Sequence, residues 1–66
     1  MRLLSDSEQW TIANALRVAA DQYATVAYTS DTAGQPRTAH AFRVQRDEAR
    51  RLADAFEQAN AVTINE

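Results

Sequence analysis

The chain has 66 residues, no cysteine, one histidine and a net charge of −2. That length allows one domain, and a monomer of this size buries only about 60% of the surface its unfolded chain exposes. Disulfides and thiolate metal sites are excluded, the lone His40 argues against a zinc site, and the charge rules out a broad polyanion-coating surface.

Small scaffolds add disulfides, metals or subunit interfaces, and here self-association remains. The lack of cysteine fits a reducing cytoplasm. No apolar run approaches the ~20 residues of a membrane span. Met1-Arg2-Leu3-Leu4 is too short and too soon polar for a secretory leader. The expectation is a cytoplasmic protein without a membrane partner.

Ser5-Asp6-Ser7-Glu8 matches the capping box, with Ser5 as N-cap and Glu8 reaching back to its amide. Acidic residues in the first turn suit the helix dipole. The predicted first helix runs from about 6 to 28 and carries two apolar seams. Ile12, Leu16, Ala19, Tyr23 and Val26 recur at heptad spacing, and so do Trp10, Ala13, Arg17, Ala20, Ala24 and Ala27.

Residues 29–35 read as a loop holding the single glycine, Gly34. The single proline, Pro36, fits a first helical position. The predicted second helix spans about 36–60. Its seam is Phe42, Gln45, Ala49, Leu52, Phe56 and Ala59.

Folding the chain at the loop pairs this seam with the first seam of helix one. Val26 then faces Phe42, Tyr23 faces Gln45, Ala19 faces Ala49, Leu16 faces Leu52 and Ile12 faces Phe56. Leu4 comes near Ile64. Ala61-Val62-Thr63-Ile64-Asn65 alternates and is β-branched, so Val62–Ile64 is either a short strand completed by a neighbouring subunit or a frayed tail.

The expected fold is all-α: an antiparallel two-helix hairpin over residues 1–66 that assembles into an oligomeric helical bundle. In this reading the alanine-rich seam with Trp10 is left for another subunit.

Charge is unevenly placed. Residues 1–36 carry Arg2 and Arg17 against Asp6, Glu8, Asp21 and Asp31, a net −2. Residues 37–51 carry five arginines against Asp47 and Glu48, a net +3, and residues 52–66 carry Asp54, Glu57 and Glu66, a net −3. Every basic residue is arginine, whose planar fork suits phosphate or carboxylate.

Arg17 interrupts the alanine seam. It is either salt-bridged across a subunit interface, directed into a ligand pocket, or extended to solvent on its long stem. Trp10 is either an interface anchor or a base-stacking platform. Arg43, Arg46 and Arg50 share one helical face, with His40 a turn earlier. They form either a phosphate grip or an ordinary solvated face, paired Arg43 to Asp47 and Arg50 to Asp54. Tyr28 is either an exposed aromatic or part of an interface.

No nucleophile–base pair, Gly-rich phosphate loop, HExxH motif or acidic metal loop occurs, so neither enzyme activity nor a cofactor is expected. The run QWTIANALRVAADQY, followed after the loop by AFRVQRDEARRLADAFEQA, resembles short uncharacterised helical-hairpin proteins of bacteriophages and prophages. The resemblance implies a mobile-element origin and a role against host defences, through sequestering a nucleotide signal in an oligomer or blocking a host protein.

The leading expectation is therefore a homo-oligomer holding a small anionic ligand, a nucleotide, between subunits. Arg17, Arg43, Arg46, Trp10, Tyr28 and His40 are its candidate ligand-binding residues. The alternative is a protein-interaction module or inhibitor of a host protein, and nucleic acid is a disfavoured partner.

Overall fold

The computed structural model describes residues 1–64. Two long helices, α1 (Asp6–Thr32) and α2 (Pro36–Gln58), form an antiparallel hairpin about 45 Å long. A two-stranded antiparallel sheet of β1 (Arg2–Leu3) and β2 (Thr63–Ile64) closes its open end.

The start of α1 is as the sequence predicts. The Glu8 amide donates to Ser5 Oγ and the Ser5 amide donates to the Glu8 carboxylate, so both halves of the capping box are present. Its end lies later than expected, at Thr32 instead of Tyr28. Thr25, Thr29 and Thr32 fit within the longer helix, each donating its hydroxyl to the carbonyl four residues before.

Gly34, at φ +75°, then reverses the chain. The Gly34 amide donates to the Asp31 carbonyl and the Gln35 amide to the Ser30 carbonyl. Those two bonds make a Schellman cap, which satisfies carbonyls a helix end would orphan. Pro36 follows as the first residue of α2.

The hairpin closes on a seam different from the expected one. The buried positions of α1 are Gln9, Ala13, Ala20, Ala27 and Ser30, and those of α2 are Ala39, Ala49 and Ala53. Alanines expected to await another subunit thus pack inside the chain's own hairpin. Gln45, assigned to the internal seam, is exposed.

The registry shifts with the seam. Tyr23 meets Phe42, ring centroids 6.0 Å apart, and not Gln45 three residues on. The Gln9 amide donates to the carbonyls of Phe56 and Ala59, both at 3.2 Å. This registry sets Ala13 level with Ala53, and Ala27 with Ala39. Small side chains on both sides allow close approach of the backbones, which the larger Ile12–Phe56 and Leu16–Leu52 pairing would have prevented.

The consequence is a thin core. Leu4 and six alanines are the buried hydrophobic residues, and no large side chain is fully buried. Leu16 and Tyr23 of α1 and Phe42 and Phe56 of α2 lie on the seam beside the alanines, Ile12 and Leu52 flank it, and all six are only half-buried.

The tail finds its partner within the chain. Arg2 pairs with Ile64 and Leu3 with Thr63, and the Leu4 amide donates to the Val62 carbonyl at 2.7 Å. Leu4 therefore meets Val62, not Ile64. The extended backbone of Ser5 sends the N-terminal residues alongside the end of α2, where Gln9 already holds the two helices together. Asn65, included in the expected strand, lies outside the described residues.

Candidate functional site

The hairpin has two flat faces. Heptad position decides which residues each receives. On α1, Trp10, Arg17, Ala24 and Asp31 recur every seven residues on one flank of the seam, and Ile12, Ala19 and Val26 recur on the other. On α2, Arg43, Arg50 and Glu57 occupy the first flank, and Gln45, Leu52 and Ala59 the second. One face is therefore charged and the other nearly free of charge.

The charged face holds most of the predicted site residues. Arg17 donates to Asp54 at 3.1 Å and to Glu57 at 2.5 Å. Those bonds, Glu57 first, raise the guanidinium pKa further above its ordinary value. The anion facing Arg17 is thus supplied by α2 of the same chain, across the hairpin.

The expected trio on α2 does not converge. Arg43 crosses to Asp31 near the bend, and Arg46 turns to its neighbour Asp47 at 2.9 Å. The anticipated Arg43–Asp47 and Arg50–Asp54 pairs give way to cross-hairpin pairing, because both helices present opposite charges along this flank. Arg46 holds the Asp47 carboxyl below its usual range, and Arg51 does the same for Glu48.

Arg50 has no carboxylate bonded to it among the described residues. It lines an open cleft of about 330 Å³ with Arg17, Ala20, Asp21 and Asp54. Two arginines and two aspartates give this cleft no net charge. Trp10 is 62% exposed and borders a shallower cleft of about 180 Å³ with Asp6, Gln9 and Glu57. Tyr28 is 73% exposed, and His40 is exposed on α2.

The structure thus sets Arg17 and Arg50 together, puts Trp10 about two turns of α1 away, and leaves Arg43, Arg46, Tyr28 and His40 apart from them. No cluster of three or more potential metal ligands occurs among the described residues. No helix is long and apolar enough to cross a membrane.

The second face carries Ile12, Ala15, Leu16, Ala19, Gln22, Tyr23 and Val26 from α1, an uncharged run. From α2 it carries Thr38, Ala41, Phe42, Gln45, Leu52, Ala55 and Phe56, with Glu48 as its one charge, held by Arg51 at 2.6 Å. Near the sheet an open apolar groove of about 220 Å³ lies between Ala55, Phe56 and Val62.

Sequence reading missed this face because it assigned the large apolar residues to the hairpin's own core. It also missed Gln9. The true seam, Gln9-Ala13-Leu16-Ala20-Tyr23-Ala27-Ser30, has perfect 4–3 spacing, but its polar ends and small members hide it among larger apolar neighbours.

Compared with known proteins, the chain matches no family model, no curated protein and no solved structure.

Proposed function

We propose that this protein is a non-enzymatic interaction module, and that it works by packing its uncharged face on another helical protein surface. The observation that carries this reading is the placement of the large apolar side chains. Ile12, Leu16, Tyr23, Phe42, Leu52 and Phe56 lie half-buried along one face, with Val26 exposed beside them, while alanines fill the core. Contiguous exposed apolar surface rimmed by polar residues marks protein–protein contact sites. A chain this small also has little other means of gaining stability.

The test combines light scattering with binding of an environment-sensitive dye such as anilinonaphthalene sulfonate. The expected outcome is either self-association, which covers the face, or a monomer that binds dye there. A monomer of 7.4 kDa that melts cooperatively and binds no dye refutes the reading.

Nucleotide binding is a second reading, favoured by one observation. Arg50 stands without a bonded carboxylate in the cleft that Arg17 also lines. Asp21 and Asp54 in the same cleft oppose a phosphate there, and Arg17 would have to leave its two carboxylates. A thermal-shift panel of linear and cyclic nucleotides tests it. Stabilisation that disappears in Arg50→Ala supports this reading, and no stabilisation by any member removes it.

A further inference from the structure

We infer that the occupant of the uncharged face is a second copy of this chain, packed face to face with its bend pointing the opposite way. This rests on the interaction-module reading above and adds the partner and its geometry.

The first ground is size. The hairpin measures 45 × 18 × 16 Å, so one flat face offers on the order of 800 Å², the area each partner contributes to a standard interface. The second is charge. An interface core depleted of charge needs a partner surface equally depleted. This chain carries such a surface, of matching length by construction.

The third ground is the residue pattern, which reads alike in both directions. A two-fold axis across the helices at Ala19 lays α1 on its copy, antiparallel. Ala19 then faces Ala19 of the second copy, Ile12 faces Val26, and Ala15 faces Tyr23. Ala15 against Tyr23 sets a small residue on a large one, and Ile12 against Val26 joins two apolar β-branched side chains, so the layers fill without charge. The same axis passes between Gln45 and Glu48 on α2. It sets Glu48 against the Gln45 amide, and Leu52 against Ala41, while Glu8, at the same heptad position as Ala15 and Gln22, stays at the end of the face paired with Arg2.

A two-fold contact of this kind is isologous, so it closes at two copies and forms a four-helix bundle with no surface left to propagate. The charged faces, with Arg17, Arg43 and Arg50, point outward on both sides.

Ala19→Cys tests the geometry, because the chain has no other cysteine. Ala19 is only half-buried in the hairpin, so a thiol fits, and circular dichroism verifies the helices. Across the axis the two Cβ atoms approach to disulfide distance, about 4 Å. Val18→Cys, on the outer surface of α1, is the control.

The expected result is a dimer by light scattering and disulfide formation at Ala19→Cys at least ~10-fold faster than at Val18→Cys, since paired thiols reach millimolar effective concentration. A dimer whose Ala19→Cys form links no faster than the control overturns this geometry and leaves the interaction module standing. A dye-binding monomer overturns the second copy as occupant, and a monomer that binds no dye ends both readings.

Discussion

Replacing Gln9 by Met probes the contact that fixes the hairpin's registry. Gln9 is buried, and its amide nitrogen donates to the Phe56 and Ala59 carbonyls. The orientation of the amide follows from its partners, since both are acceptors. Phe56 lies in the last turn of α2, where the carbonyls have no partner inside the helix. Gln9 thus caps the end of α2 from α1.

Methionine keeps the length and volume of the side chain and removes both donors. Each net hydrogen bond contributes about 0.5–1.5 kcal/mol, so the loss is roughly 1–3 kcal/mol. In a domain this small that lowers the Tm by roughly 4–24 °C, at about 4–8 °C per kcal/mol.

Urea and thermal unfolding followed by circular dichroism measure the effect, at one fixed protein concentration. Gln9→Glu sharpens the test. At neutral pH it sets a carboxylate against two carbonyls, so its folded pKa rises above its unfolded value. Stability then falls as pH rises through the carboxylate range and recovers on acidification, when the protonated acid donates one bond. A change below about 0.5 kcal/mol in Gln9→Met, the size expected of an indifferent surface site, refutes the cap.

Further outcomes follow from the seam, the bend and the N-terminal cap. Ala20→Leu forces a branched side chain between closely packed backbones and costs about 1–3 kcal/mol, measured by urea unfolding. A glutamate at the same position unfolds the hairpin instead of merely separating subunits, because Ala20 lies inside it. Gly34→Ala places a Cβ in the left-handed region with open space around it, so the cost is conformational alone, about 1 kcal/mol by the same assay. Glu8 accepts from the Ser5 amide and from Arg2, which lowers its pKa from 4.5 to about 2. Its contribution is fully present above pH 4.5 and is lost as pH falls toward 2. Helicity followed across that window decreases, and Glu8→Ala flattens the part of the decrease that this carboxylate causes.

Features set by neighbouring residues were legible in the sequence. The capping box at Ser5 and Glu8, Gly34 at the bend and Pro36 opening α2 each depend on residues a few positions apart. Physical chemistry fixes them before any tertiary contact forms. Two helices of these approximate lengths, antiparallel because the connection is short, follow from the same signals. The threonine-rich stretch that carries α1 on to Thr32 was harder to read, since threonine is a weak helix former whose back-bonding appears only in three dimensions.

The choice of seam was a tertiary decision. Trp10–Val26 presents several apolar lines at the same 4–3 spacing, and periodicity cannot rank them. Size argued for pairing Ile12, Leu16 and Tyr23 with Leu52 and Phe56. The folded chain instead brings its backbones close along Ala13, Ala20, Ala27, Ala39, Ala49 and Ala53, with Gln9 bonded at one end and Arg17 reaching Asp54 and Glu57 beside it. The Gln9 and Arg17 contacts join residues 37 to 50 positions apart, and none of these contacts has a local signature. By itself the sequence determined that this protein is a hairpin with more apolar surface than one seam can cover. Only the tertiary structure decided that alanines close the hairpin and that Ile12, Leu16, Tyr23, Leu52 and Phe56 are left half-buried along one face, because close backbone approach and cross-hairpin bonding set the registry.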